Sequence, residues 1–373
     1  MEPLSPYADQ AIRADRLRRA QAEMNRHGVD WLVAGASADL WYLTGYPGHL
    51  SERLSALLLP RSGDPLYLVP TLEAPTLDAQ RDLLDLHTWE ETQDPAAIAA
   101  TLMGGAGGAP VVAVNDDLWA IFLLRLQAAL PNATWQDAGT LLRPLRAIKD
   151  GREIELMREA ARRTDDAWEE FITRPIAGLT EKQALARLLE LTQARDLDTG
   201  FGICASGPHS ASPHHSAGDR VIGPGDAVVF DWGGRLEGYF SDVTRTVVIG
   251  EPSAKFARAY AAVLEANEAA LQAVAPGVPC EDIDQAARGV LSAAGYGEQF
   301  IHRTGHGLGL AVHEEPYLVA GNALPLAAGM IFSDEPGVYF AGEFGIRIED
   351  SVLCTDEGGV RLNEATRELT VMG

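Results

Sequence analysis

The chain has 373 residues, of which 46% are hydrophobic and 22% charged, with a formal net charge of −23. That length exceeds one ordinary hydrophobic core, so two domains are expected, and the acidic balance excludes nucleic acid and anionic membrane surfaces as partners. Three cysteines, Cys204, Cys280 and Cys354, show no CxxC spacing and suit a reducing compartment. No run reaches the roughly 18 apolar residues of a membrane span, and the N-terminus lacks the apolar core of a signal peptide, so the expected location is the cytoplasm.

In chain order, residues 12–27 read as an amphipathic helix with Ile12, Leu17, Ala20 and Met24 at helical spacing, stopped by Gly28. Trp31–Ala34 reads as a strand and Ala38–Leu43 as a short helix or turn. Ser55–Leu59 and Pro65–Val69 read as strands joined at Arg61–Asp64. Helical stretches then alternate with the strand Pro110–Val114, which makes this part an α/β unit. The glycine run 104–108 lacks the Lys-Ser/Thr of a phosphate loop and precedes a strand instead of opening a helix, so it reads as a flexible connection. His27, His49 and His87 are isolated. A boundary is expected near Arg143–Gly151, a polar run containing Pro144.

The second part opens with a helix over 152–173 and another from Thr180, where Thr180 and Gln183 form a capping box. Residues 199–250 are rich in Gly, Ser, His and β-formers, residues 253–295 return to helix, and from 299 the strand-like character recurs. This repetition predicts two helix-then-strand halves whose strands build one curved sheet under the helices.

The chemistry concentrates in the strand-rich parts. An apolar run, Ala227–Phe230, ends in Asp231, and a glycine-containing turn leads to a second β-rich run carrying Asp242. Their odd separation predicts two carboxylates opposed on one face of a hairpin, with Cβ atoms about 4.5–5.5 Å apart. Burying both without a counter-charge is costly, and a metal pair about 3.5–4 Å apart would fit between them. The alternative is that Asp242 caps a turn and pairs with Arg245. His306 stands between glycines in Thr304-Gly-His-Gly-Leu-Gly309, where the backbone can approach closely. Glu335 ends the strand Met330–Asp334, and Glu349 lies in a strand with alternating Ile346 and Ile348. A glutamate on a solvated strand face is the competing reading for each.

The set DWGGRLEGYFSDVTRT, GHGLGLAVHEEP, DEPGVYF and GIRIEDS closely resembles the metallopeptidases of the pita-bread fold: methionine aminopeptidase, aminopeptidase P and prolidase. The stretch RLRRAQAEMNRHGVDWLVAGASADLWYLTGYPG resembles the N-terminal domain of prolidases, aminopeptidases P and creatinase. The resemblance implies an α/β (α+β) chain, with a creatinase-like domain over 1–145 and a pita-bread catalytic domain over 146–373. Asp231, Asp242, His306, Glu335 and Glu349 match the family's metal ligands. They would hold two divalent ions, Mn foremost with Co or Zn as alternatives, which acidify a bridging water to hydroxide.

His214 and His313 match the histidines that contact substrate, although the adjacent His215 competes for the first role. Tyr339 and Arg347 match active-site segments, Arg347 as a partner of a carboxylate, of a substrate end, or of Glu349. The implied reaction is hydrolysis of an Xaa-Pro bond in a small peptide with proline second, Glu335 delivering the proton to the leaving nitrogen. A homodimer is the family expectation. Many prolidases place an arginine soon after the His-Glu-x-Pro segment, and this chain has none between Tyr317 and Gly329. Arg347, or Arg53 reaching over from a partner subunit, would then anchor a dipeptide carboxylate. Without an anchor, the alternative is aminopeptidase P acting on longer peptides. A metal-free amidino hydrolase and a non-catalytic binding module are the other classes, and both are expected to lack the five ligands.

Overall fold

The structure is a computed structural model that describes residues 10–105 and 108–372. The expected connection at 104–108 lies partly outside the described residues, as do the first nine residues of the N-terminal stretch. Two compact units divide between Arg146 and Ala147.

The first unit is an α/β layer. Its elements are α1 (Gln10–His27), β1 (Trp31–Ala34), α2 (Ala38–Thr44), β2 (Ala56–Pro60), β3 (Leu66–Pro70), β4 (Asp85–Trp89), α3 (Pro95–Leu102), β5 (Val111–Val114), α4 (Ala120–Ala129), β6 (Thr134–Asp137) and α5 (Gly139–Ala147). The strands form one sheet in the order β4-β3-β2-β1-β5-β6. Its antiparallel centre, β1 with β2 and β2 with β3, is flanked by parallel pairs. Val33, Leu58, Leu68 and Val112 pack from the sheet against Ala99 and Leu126 of α3 and α4. Pro144, expected in a polar linker, lies inside α5.

The second unit repeats one theme twice. Helices α6 (Gly151–Phe171) and α7 (Glu181–Gln193) precede β7 (Asp198–Ser206), β8 (Ala227–Leu236), β9 (Tyr239–Phe240) and β10 (Val243–Ile249). Helices α8 (Ala254–Ala273) and α9 (Cys280–Ala293) precede β11 (Gly305–Gly307), β12 (Glu314–Leu318), β13 (Ile331–Asp334), β14 (Gly337–Phe340), β15 (Phe344–Arg347), β16 (Asp350–Thr355), β17 (Gly358–Arg361) and β18 (Thr370–Met372). Both α6 and α7 start at full capping boxes, Asp150 with Glu153 and Thr180 with Gln183, which satisfy otherwise orphaned N–H groups.

The strands fall into two five-stranded sheets, β18-β10-β8-β7 with β9 on β8, and β12-β11-β13-β16-β17, and a two-stranded antiparallel pair, β14-β15. A single bridge between Thr244 and Glu349 ties β10 to the segment between β15 and β16. Each sheet has its own core. Trp168 and Phe171 of α6 pack edge-on against Phe230 of β8, with Trp168 tilted against Trp232, while Phe256, Val263 and Ile283 of α8 and α9 cover Phe332 and Val352. The seam between the sheets is therefore where polar side chains can meet without displacing either core. All three cysteines are buried and free, and no described helix is long and apolar enough to cross a membrane.

Candidate metal centre

Strand β8 does not end at Phe230 as its sequence suggested. It continues through Asp231 and Gly233-Gly234 to Leu236, and the turn is made at Glu237 and Gly238, both with positive φ. The glycine pair serves close approach instead of turning, since a Cβ on Gly233 would overlap the Ser241 carbonyl. In consequence the register is two residues away from the expected one. Asp231 faces Thr244, and Asp242, just before β10, is its diagonal neighbour on the same face, at the roughly 7–8 Å spacing of such pairs. Asp231 accepts a hydrogen bond on Oδ2 from Arg347 at 2.6 Å, and its buried Oδ1 has no partner among the described residues.

His306 is delivered by the short strand β11 between β12 and β13. Its backbone N–H donates to Ser333 Oγ at 3.0 Å, and its Nδ1 lies 3.1 Å from the Gly307 carbonyl. A proton on Nδ1 leaves Nε2 as a lone pair facing Glu335 Oε1 at 3.4 Å and Asp242 Oδ2 at 3.7 Å. The flanking glycines are required here: a Cβ on Gly305 or Gly307 would overlap the Ser333 or Glu315 carbonyl. Burial, with His313 nearby, pushes the His306 pKa down to about 3, so the ring is neutral.

Glu335 follows β13, its N–H donating to the Thr304 carbonyl at 2.8 Å and its Oε1 accepting from Ser333 Oγ at 3.2 Å. Glu349 does not lie within one continuous strand. β15 stops at Arg347 and β16 begins at Asp350, and the break is held by Thr244, whose hydroxyl donates to Glu349 Oε2 at 2.6 Å. Burial raises the pKa of Asp242 and Glu349 well above the carboxylate range, each acid adding repulsion to the others. Burial likewise pushes Glu335 up to about 7, against the pull of Arg347.

Arg347 is 2% exposed and committed. Its guanidinium donates to Asp231, to Thr244 Oγ1 at 3.1 Å and to the Tyr339 hydroxyl at 2.8 Å. Tyr339 is buried in turn against His302 Nε2 at 2.8 Å, and burial holds its pKa up at about 12. Both residues thus brace the acids from behind.

These groups open onto a cavity of about 560 Å³ whose wall includes Asp231, Asp242, His306, Glu335, Glu349 and Arg347 together with His214 and His313. His214 faces this space, whereas His215 turns away to Glu181 at 2.8 Å. Phe201, Ile203 and Val312 give the cavity an apolar side. Arg53 lies in the first unit, ion-paired to Glu52 and Glu91 at 2.6 Å each, and is not among the lining residues. His302, Arg303 and Thr244 escaped the sequence reading. Thr244 alone left a signal, in its same-face spacing to Asp242.

The donor set fits divalent cations. The ligating atoms of Asp242, His306 and Glu349 lie within 4.8 Å of one another, Asp231 and Glu335 border them, and the unpartnered Asp231 Oδ1 with the raised acids marks a deficit of positive charge. Glu181, His209 and His215 form a second such group away from the cavity.

Residues 155–356 match metallopeptidase family M24, and residues 16–148 match the creatinase/prolidase N-terminal domain. The probable dipeptidase PepE of Mycobacterium tuberculosis is 42% identical over 370 residues, 98% of each chain. Among solved structures, dipeptidase PepE from Mycobacterium ulcerans superposes with a TM-score of 0.92 at 43% identity, covering 97% of this chain and 98% of its own. A recombinant prolidase from Thermococcus sibiricus gives 0.90 at 37% identity, covering 96% and 98%.

Proposed function

We propose that this chain, which belongs to metallopeptidase family M24, hydrolyses the Xaa-Pro bond of dipeptides with a pair of divalent metal ions. The observation that carries the reading is the crowding of Asp231, Asp242, Glu335 and Glu349 around the neutral His306 at one end of a peptide-sized cavity. The similarity to proteins named dipeptidase and prolidase supports the substrate class.

Asp231, Asp242, His306, Glu335 and Glu349 would hold the ions. When bound, such ions acidify water and polarise a carbonyl. Glu335, which faces the His306 imidazole across the site, would take a proton from the attacking water and pass it to the leaving proline nitrogen. An Xaa-Pro nitrogen has no hydrogen of its own, so that delivery is needed for the bond to break. His313 supports the scissile carbonyl oxygen, and His214, which lines the same cavity, orients the peptide. Arg347 and Tyr339 act behind the ligands, Arg347 holding Asp231 in place through its hydrogen bond and Tyr339 holding Arg347. Oxygen-rich ligation with one imidazole suits Mn, with Co or Zn able to substitute. The free buried cysteines accord with a cytoplasmic setting, and a homodimer follows from the family resemblance.

A second reading, release of the N-terminal residue from longer Xaa-Pro peptides, is favoured by the absence of an arginine between Tyr317 and Gly329. The deciding experiment compares Xaa-Pro with Xaa-Pro-Yaa using metal-stripped and Mn-restored enzyme. Mn-dependent preference for the dipeptide is expected, and preference for the tripeptide would establish the second reading. No metal-dependent cleavage of either peptide would contradict both.

A further inference from the structure

Arg303 is a cation in the cavity wall with no acid assigned to it. It stands three residues before His306 and lines the same space as His214, His313 and Glu335. Its guanidinium lies over the Tyr317 ring, 4.4 Å from the centroid, a contact that fixes the plane of a flexible side chain. Among the described residues it forms no ion pair with a carboxylate. Its field is felt inside the site, where it opposes protonation of His306 and His313 and favours ionised Glu335.

The other guanidinium in the wall cannot serve a ligand in the same way. Arg347 is buried, with Asp231, Thr244 and Tyr339 taking its nitrogens. A substrate carboxylate held in this cavity would lose its hydration, and a cation in the wall would offset that cost. Arg303 is the partly exposed lining cation free to do so.

We infer that Arg303 binds the C-terminal carboxylate of a dipeptide and so selects dipeptides over longer chains. The inference rests on the peptidase reading above and deepens it. In a dipeptide the group after proline is an anion that can take a bidentate, charge-assisted pair from a guanidinium. In a longer peptide the same position is a neutral amide, and that pair is lost. The stacked plane of Arg303 on Tyr317 presents its edge as a preformed fork.

The test uses the full-length, Mn-loaded enzyme with Ala-Pro and its C-terminal amide, Ala-Pro-NH2. The wild type should favour the free acid. In Arg303→Gln the acid-to-amide ratio of kcat/KM should fall about 10- to 100-fold, the range for one charge-assisted interaction, with the loss mainly in KM for the acid. Arg303→Lys should recover part of the ratio, because a point charge replaces the fork, and it carries the test if the glutamine variant fails to fold. An unchanged ratio in both variants, or equal losses on acid and amide, would overturn the role of Arg303 and leave the peptidase reading standing. Cleavage of neither substrate by the Mn-loaded wild type would overturn the peptidase reading and the inference with it.

Discussion

Glu181 with His209 and His215, and Asp242 with His306 and Glu349, are both carboxylate–imidazole groups with ligating atoms within 4.8 Å of one another. Around Glu181 the acid is saturated: Ser206 N and Oγ and His209 Nδ1 reach Oε1, while His215 Nε2 and Gly218 N reach Oε2, all at 2.7–3.0 Å. Although burial pushes the other way, those bonds hold Glu181 down at about 2. Around His306 the acids have few donors and are pushed up, and Asp231 keeps a buried oxygen without a partner. Matching residue types thus give one site complete by itself and one that needs cations. The first ties the loop carrying His214 to α7, and the second is where chemistry can occur.

The strongest blow to this contrast is removal of a crowded acid. Asp242→Ala should lower kcat/KM on an Xaa-Pro dipeptide at saturating Mn by about a thousandfold, roughly 4 kcal/mol of transition-state stabilisation. Activity within tenfold of the wild type would remove Asp242 from the ligand set. Arg347→Met acts on the brace behind the acids. It strands the Asp231 oxygen, while Tyr339 keeps its bond to His302, so denaturant unfolding should show a loss of about 3–5 kcal/mol, whereas a loss below about 1 kcal/mol would mean that the buried pair adds little. Thr244→Val removes the hydroxyl that joins Arg347 to Glu349. Calorimetry should report metal affinity weakened about 10- to 100-fold, as for other groups that orient ligands, and an unchanged Kd would reduce Thr244 to a strand residue.

A smaller, graded effect sharpens the electrostatic half of the comparison. In the metal-free protein Glu335 titrates near 7 against an ordinary 4.5. The native state therefore holds protons that the unfolded chain has lost, and stability falls as pH rises through about 7. Asp242 and Glu349 act in the same direction. His306 and His302, pushed down to about 3 and about 4, oppose this, since their contribution grows with pH up to the ordinary 6.5 and is flat above it. The Tm of metal-free protein should therefore fall between about pH 6.5 and pH 8, and Mn should abolish the slope. A flat apo profile would mean that the acids do not repel one another.

Local chemistry made much of this legible. Thr180 with Gln183 announced a helix start, and the recurrence of helix and strand announced two halves, although their strands form two five-stranded sheets and a separate pair instead of one sheet. Asp231 and Asp242 do share a face, as their spacing required. Their diagonal placement was not legible, because glycine reads as turn in sequence whereas Gly233 is needed for close packing against Ser241. The break at Ile348-Glu349 was hidden for a similar reason: the alternation of Ile346 and Ile348 continues across it, and only the tertiary partner Thr244 ends the strand. Arg303 carried no signal, since what distinguishes it is that no carboxylate among the described residues ion-pairs with it, a property of packing and not of spacing.

The central claim is that the repulsive cluster, and not the satisfied one, is built for cations. Metal analysis of the wild type, Asp242→Ala and Glu181→Gln, after stripping and reloading with Mn, tests it most directly. The account predicts about two ions per chain in the wild type and in Glu181→Gln, and a clear deficit in Asp242→Ala. Full loading of Asp242→Ala, or ions lost from Glu181→Gln alone, would contradict it.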